Sequence, residues 1–164
     1  MGRLRFSMSV SLDGFVETPV RSLDWVRVDD ELHEAFNDES RSIGTSLYGR
    51  RMYELMADYW PTGDRDPAAT PAMVEFARIW QATPKVVFSR TLDAVAHGAR
   101  LVRGDAVAEV ARLKAASEAD MDVGGPTLAG SLIAAGLVDE YRLYVHPVVL
   151  GGGTRFFPPL AERV

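Results

Sequence analysis

Short apolar runs that alternate with helical segments constrain the fold of this sequence more than any other feature. Residues 3–11 carry an apolar side chain at every second position, and residues 85–89 and 120–123 are short apolar runs. Strand-length runs separated by helix-length periodic segments indicate a mainly parallel sheet with helices on both faces. We therefore predict an α/β protein of three layers. Strands are expected over 3–11, 46–48, 85–89, 100–103, 120–123 and 139–149, and helices over 29–40, 50–57, 71–81, 126–135 and from 105 onward.

Composition narrows the class of protein. The chain has 164 residues, 47% of them hydrophobic, which suits a single domain over residues 1–164 with a substantial core. A net charge of −5 argues against a nucleic-acid partner, and the absence of cysteine excludes disulfides and thiolate chemistry. No stretch is long and apolar enough to span a bilayer, and no signal peptide is evident. We predict a cytoplasmic protein with no membrane partner.

A glycine pair, Gly124-Gly125, follows a predicted strand and precedes a predicted helix. Glycines allow a ligand to approach the backbone closely, and Pro126 suits the first position of a helix. The free N–H groups and the positive dipole end of such a helix attract phosphate. The pattern therefore indicates either a pyrophosphate-binding turn or an ordinary tight turn.

Four polar or glycine-rich segments directly follow predicted strands, and together they favour the binding interpretation. They are residues 13–14, 49–51, 89–91 and 124–125. In open parallel sheets, ligands bind beyond the carboxyl ends of the strands. We expect these four segments to meet at one edge of the sheet and to form a binding site there.

Three arginines in these segments supply positive charge to an otherwise acidic protein. The guanidinium group of an arginine is planar and permanently charged, so Arg50, Arg51 and Arg90 can each bind a phosphate with two hydrogen bonds. Hydroxyl donors are added by Ser89 and Thr91. This grouping favours the 2′-phosphate of NADP, since an NAD site would present an acidic residue to the ribose. The alternative is that one or two of the arginines are solvated surface charges.

Two aspartates are the candidate catalytic residues. Asp13 follows the first strand and would bind a substrate or supply a proton, or else form a self-capping Asp-Gly turn. Asp30 is the second candidate, with a helix N-cap as the alternative. The three histidines lack metal-ligand spacing, so no metal is expected. Trp60 and Phe76 lie at spacings typical of core packing.

Five motifs occur in an order that resembles a known family. They are SVSLDGF at 9–15, LYGRRMYE at 47–54, VFSRT at 87–91, VGGPTL at 123–128 and GLVDEYRLYVHPVVLGGG at 136–153. Together they resemble the dihydrofolate-reductase-like family that includes the C-terminal reductase domain of the bifunctional riboflavin-biosynthesis deaminase–reductase. The resemblance spans nearly the whole chain.

The resemblance implies an NADPH-dependent reductase with a dihydrofolate-reductase-like fold, and it implies roles for individual residues. The Gly-Gly turn and the following helix would hold the pyrophosphate through the segment Val123, Gly124, Gly125, Pro126, Thr127 and Leu128. The adenosine-phosphate side would be taken by Gly49, Arg50, Arg51, Ser89, Arg90 and Thr91. Val10 and Ser11 would border the nicotinamide, and Asp13 would face the substrate. Such domains often pair, so a homodimer is expected.

The resemblance leaves the substrate open. Val123 stands where riboflavin-pathway reductases usually carry Glu, and Met52 stands where dihydrofolate reductases usually carry Thr. The expected activity is hydride transfer from NADPH to a small pterin- or ribosylaminopyrimidine-like substrate, as in 5-amino-6-(5-phosphoribosylamino)uracil reductases. The alternatives are dihydrofolate reductase proper and a non-catalytic NADP-binding module. Because the chain stops at Val164, an antiparallel edge hairpin is expected to be missing or supplied differently.

Overall fold

The computed structural model of the protein describes residues 2–160. It contains eight strands, five α-helices and one 3₁₀ turn at Gly63–Arg65. The strands are β1 (Leu4–Ser11), β2 (Phe15–Glu17), β3 (Ile43–Gly49), β4 (Lys85–Phe88), β5 (Ala99–Val102), β6 (Asp120–Gly124), β7 (Glu140–His146) and β8 (Thr154–Arg155). The helices are α1 (Asp30–Ser40), α2 (Arg50–Tyr59), α3 (Pro71–Ala82), α4 (Ala106–Ala116) and α5 (Pro126–Ala134). No helix within this part of the chain is long and apolar enough to cross a membrane.

Six strands form a parallel sheet in the order β5-β4-β3-β6-β1-β7. The predicted α/β architecture is thus confirmed, and every neighbouring pair in this sheet is parallel. The two shortest strands, β2 and β8, form a separate antiparallel pair beside the sheet.

The helices cover both faces of the sheet because side chains alternate between the faces along each strand. On one face, Leu4 and Phe6 of β1 and Val123 of β6 belong to the main core, which α4 and α5 cover. On the other face, Tyr48 and Val87 belong to a second apolar cluster with α2. Because the central strands are covered on both faces, their sequences are near-continuous apolar runs.

Strand β1 lies between β6 and β7, but it pairs with β7 over a longer segment than with β6. It pairs with β6 only from Leu4 to Phe6, and with β7 from Arg5 to Ser11. Beyond Phe6, therefore, β1 and β6 separate towards their carboxyl ends. This separation opens a gap in the sheet between Met8 and the glycine pair that ends β6.

Three parts of the sequence prediction differ from the structure. Residues 15–17, which lie outside the predicted strands and helices, form β2. Strand β7 ends at His146 instead of continuing to residue 149, because Pro147 cannot donate a hydrogen bond to the ladder. The C-terminal glycine triplet leads into β8, which pairs with β2.

Candidate active site

A cleft lies over the gap between β1 and β6, and it consists of two adjoining cavities. Their volumes are about 440 and 450 Å³. Met8, Val16 and Leu23 line both, as do Met52 and Leu55 of α2. The two cavities therefore share a common apolar wall.

The first cavity is lined by the N-terminal ends of two helices. Gly49, Arg50 and Arg51 come from the start of α2, and Gly125, Pro126 and Thr127 from the start of α5. The N-cap residue of each helix is a glycine, so no side chain caps the free N–H groups of the first turn. Two uncapped helix starts facing one cavity make a site that favours phosphate groups.

The glycine pair Gly124-Gly125 allows a ligand to approach the backbone at the start of α5 closely. Gly125 has φ +101° and ψ 129°, a conformation that residues with a side chain rarely adopt. A Cβ atom at Gly124 would lie 2.8 Å from Cδ1 of Tyr48 and 2.9 Å from Cγ of Met52. Both positions therefore require glycine, and the backbone at the start of α5 is left bare for a ligand.

The two arginines of α2 are held by different partners. Arg50 donates from Nε to Glu54 at 2.9 Å and from NH1 to the hydroxyl of Thr91 at 2.9 Å. Arg51 pairs with Glu17 of β2 and donates to the carbonyl of Arg21 at 3.0 Å. Both arginines line the first cavity, but Arg51 connects β2 and the loop after it to α2, whereas Arg50 is held by its own helix and by Thr91.

The second cavity has aromatic walls and a polar floor. Phe36 of α1 packs edge-on against Tyr144 of β7 at 4.7 Å between ring centroids, and Trp60 packs against Phe76 at 4.5 Å. These four rings line the cavity, so Trp60 and Phe76 do more than fill the core. Polar side chains of the sheet complete the lining, and they are Arg5, Ser7, Ser9 and Asp122. A planar ring with polar edges fits this arrangement.

The structure brings together about half of the residues expected at the cofactor site. The first cavity is lined by Gly49, Arg50, Arg51, Gly125, Pro126, Thr127 and Leu128. Gly124 lies beside this set, against Met52. Val10, Ser11 and Val123 are buried beneath the cleft and do not line it. Ser89, Arg90 and Thr91 lie outside the lining, with Thr91 touching it through Arg50.

Asp13 and Asp30 lie outside both cavities, and their catalytic roles stay predictions. The Asp13 carboxylate accepts hydrogen bonds from the Ser11 hydroxyl at 2.7 Å and from the N–H groups of Leu150 and Gly151 at 3.0 and 2.7 Å. These bonds, led by the one from Ser11, lower the pKa of Asp13 to about 2. Asp30 is exposed in the first turn of α1, whose N-cap is Asp29.

Three carboxylates line the cleft without having been singled out as candidates from the sequence. Glu17 borders the first cavity, and Glu39 and Asp122 border the second. Glu17 is held by Arg51 and by the Thr154 hydroxyl at 2.6 Å, and Glu39 is held by Arg142 at 2.6 Å. The one available signal was Asp122, an acidic residue inside an apolar strand just before the glycine pair.

The burial of Asp122 predicts a specific pH dependence of stability. Burial raises the pKa of this carboxyl from 3.8 to about 6. The folded protein therefore binds more protons than the unfolded chain between these values, and the stability contributed by Asp122 is lost as the pH rises through about 6. Relative to wild type, Asp122→Asn should gain roughly 2 kcal/mol in free energy of unfolding between about pH 4 and pH 7. Urea unfolding across this range measures the difference, and a constant difference would contradict the prediction.

The sequence matches the RibD C-terminal domain family over residues 3–163. The chain belongs to this family. Membership supports a reductase-type role. The uncharacterized protein YyaP of Bacillus subtilis (strain 168) is 34% identical over 163 residues, which cover 99% of this chain and 84% of YyaP.

Solved structures show the same fold. A dihydrofolate reductase from Enterococcus faecalis, complexed with NADP(H), is similar with a TM-score of 0.62 at 18% identity, over 98% of this chain and 79% of that one. A diaminohydroxyphosphoribosylaminopyrimidine deaminase/5-amino-6-(5-phosphoribosylamino)uracil reductase from Thermotoga maritima is similar with a TM-score of 0.62 at 13% identity. This similarity covers 99% of this chain and 50% of the longer protein. The resemblance and the fold expected from the sequence are confirmed.

Proposed function

We propose that this protein is an NADPH-dependent reductase that transfers a hydride to a small pterin- or aminopyrimidine-like ring. One observation carries the proposal: two uncapped helix starts and the bare glycine pair face one cavity, which opens into a second cavity with aromatic walls. The similar Enterococcus structure holds NADP(H), and the similar Thermotoga protein is named as a reductase of an aminopyrimidine.

The residues of the first cavity fit a dinucleotide phosphate. The start of α5 would hold the pyrophosphate through its free N–H groups, with no Cβ at Gly124 or Gly125 to obstruct it. Arg50 at the start of α2 would bind the 2′-phosphate through a charge-assisted hydrogen bond. When bound, the cofactor supplies the hydride, and the protein supplies orientation and a cleft that excludes water.

The second cavity favours a flat, nitrogen-rich ring as the hydride acceptor. Its aromatic walls would sandwich such a ring, and Ser7, Ser9 and Asp122 would bind the polar edges. Because the cavities share Met8 and Met52, a ring in the second cavity lies next to whatever occupies the inner end of the first. This adjacency is what hydride transfer requires.

Calorimetric titration with NADPH and NADH tests the cofactor proposal. We expect NADPH to bind at least about tenfold more tightly than NADH, because a charge-assisted hydrogen bond contributes about 1.5–3 kcal/mol. Arg50→Gln should lose most of this preference by weakening NADPH binding alone. Arg78→Gln, which removes an exposed arginine from α3, is the matched control and should bind as wild type does.

Two outcomes would count against this assignment. If neither nucleotide binds, the reductase proposal fails at its cofactor. If NADPH binds but Arg50→Gln weakens NADPH and NADH equally, the cavity holds the cofactor without Arg50 recognising the 2′-phosphate. Whenever NADPH binds, screening of dihydrofolate and of aminopyrimidine substrates for NADPH oxidation would identify the hydride acceptor.

We also propose that the protein forms a homodimer through the edge strand β7. In the described sheet β7 pairs only with β1, and Leu143 and Val145 on one of its faces are 42% and 57% exposed. Val149 and Leu12, near the same sheet edge, are exposed as well. Val145→Lys should convert a dimer into monomers in sedimentation experiments, whereas Ala108→Lys on the exposed side of α4 should not. A wild-type protein that sediments as a monomer would refute the dimer.

A further inference from the structure

The sheet face beneath the second cavity carries a row of polar residues. Arg5, Asp122, Ser46 and Lys85 occupy matching register positions on β1, β6, β3 and β4. Residues that pair across parallel strands point to the same face. Arg5, Ser46 and Lys85 are all at most 7% exposed, whereas Asp122 is half-buried. Of the four, Arg5 and Asp122 line the second cavity.

In this row, Asp122 has a carboxyl oxygen, Oδ1, that is left available to a ligand. Arg5 pairs with Asp120 and lies 3.3 Å from Glu140, and Lys85 donates to the carbonyl of Thr83 at 2.7 Å. Oδ1 of Asp122 is buried and has no hydrogen-bond partner among residues 2–160. A buried oxygen without a partner is costly, so its presence in a cavity wall indicates that a ligand binds it.

The other acids of the cleft are unsuited to this role. Glu17 accepts hydrogen bonds from Arg51 and Thr154, and Glu39 pairs with Arg142, so the carboxyl groups of both are already engaged by protein partners. Asp122 thus differs from them in its partners, because no charged side chain is bonded to its Oδ1. The lack of such a partner lets its carboxyl hold a proton to a higher pH.

We propose that Asp122 is the acid that protonates a ring nitrogen of the substrate during reduction. The inference rests on the proposed reductase function. Reduction of a C=N bond adds a hydride to carbon and a proton to nitrogen. Bound NADPH would supply the hydride and would be left as NADP⁺. The O–H bond of Asp122 breaks as the new N–H bond forms, and Asp122 is left as a carboxylate.

The surroundings of Asp122 match an acid that works near neutral pH. Burial raises its pKa to about 6, while a hydrogen bond with the Ser46 side chain and the charge of Arg5 oppose this rise. From the other elements, Tyr48 of β3, Tyr144 of β7 and Glu39 of α1 lie around the same cavity walls. Burial raises the pKa of both tyrosines, so both keep their protons, and a fraction of Asp122 is protonated at pH 7.

A small cavity next to Asp122 offers a place for a proton donor. It measures about 30 Å³, and its lining combines the polar side chains of Asp122, Ser46, Tyr48 and Thr83 with apolar ones such as Ile43 and Ile79. That volume is enough for one water molecule with several polar partners. A carboxylate left after proton transfer would therefore regain a proton from this side while the product still fills the main cavity.

Protonation of a bound ring can be measured without a turnover assay. The probe is ¹⁵N-labelled 2,4-diaminopyrimidine, and the readout is the NMR titration of its ring nitrogen, free and bound to the protein, with and without NADPH. In the wild type, we expect the pKa of the bound ring nitrogen to exceed that of the free ring by about one pH unit or more, a tenfold preference for the protonated form. In Asp122→Asn it should fall to the free value or below, since an apolar cavity disfavours the cation.

Further variants separate an acidic role from a structural one. Asp122→Glu should restore part of the rise in the ring pKa, and Asp58→Asn, which removes an exposed carboxylate of α2, should leave it unchanged. An unchanged ring pKa in the wild type, an equal rise in Asp122→Asn, or no binding of the probe would each overturn the proposal. Because the wild-type titration is also made without NADPH, it tests Asp122 even if the protein fails to bind the cofactor.

Discussion

Gly125→Ala should weaken NADPH binding by about 10- to 100-fold. Gly125 caps α5 with φ +101°, and a side chain in that conformation costs about 1–3 kcal/mol. The alanine Cβ would also lie 3.4 Å from Cβ of Met52, so the backbone would move away from α2 to relieve both effects. That movement displaces the first N–H groups of α5 from the phosphate, and each 1.4 kcal/mol lost is a tenfold loss of affinity. Calorimetric titration with NADPH measures the change.

The same helix offers a matched control for this prediction. Gly136 lies just beyond the C-terminal end of α5 with φ +68°, and a Cβ there would meet no atom within 4 Å. Gly136→Ala should therefore lower stability through backbone strain while leaving NADPH affinity as in wild type. Equal affinities for the two variants would show that the start of α5 does not bind the cofactor.

Gly153→Ala should destabilise the protein by at least about 3 kcal/mol, close to the upper range for a single substitution. A Cβ at Gly153 would lie 1.8 Å from the carbonyl oxygen of Glu17 and 2.9 Å from its carbonyl carbon. Both atoms belong to the backbone of β2, so the overlap cannot be relieved by turning a side chain. The residue also has φ +129°, which adds strain to the overlap. The midpoint of urea unfolding, followed by circular dichroism, measures the loss.

This substitution should reach the cofactor cavity as well. Pairing of β2 with β8 places Val16, Glu17 and Thr154 in the wall of the first cavity. If alanine at 153 forces the strands apart, any folded protein that remains should bind NADPH more weakly. Gly151→Ala is the control from the same triplet, because Gly151 has φ +72° but open space around it. It should cost about 1 kcal/mol, and similar unfolding midpoints for the two variants would contradict the expected clash.

The sequence was sufficient to predict the sheet and its covering helices, because these depend on local periodicity. The runs at β1, β4 and β6 were readable as strands, and Pro126 was readable as the first position of a helix. Strand β2 could not be predicted. Three residues show no period, and β2 exists only because β8, some 140 residues later, supplies its partner.

Part of the first cavity was predictable for the same reason. Glycine and proline at the start of α5 act through the backbone, and their effect is local. The second cavity was not predictable. Asp122 meets Arg5 and Ser46 only through the register of three strands that are far apart in sequence. Asp13 attracted attention as a carboxylate after a strand, and the structure shows that its oxygens bind the backbone of residues 150–151.

The brief pairing of β1 with β6 also has a mechanical consequence. Three register pairs join β5-β4-β3-β6 on one side to β1-β7 on the other, fewer than the seven that join β1 to β7. A molecule bound in the cleft would contact both parts of the sheet and hold them in one relative orientation. When the first molecule has fixed this orientation, the second no longer loses the same conformational entropy on binding. We therefore expect cofactor and acceptor ring to bind cooperatively even where they make no direct contact.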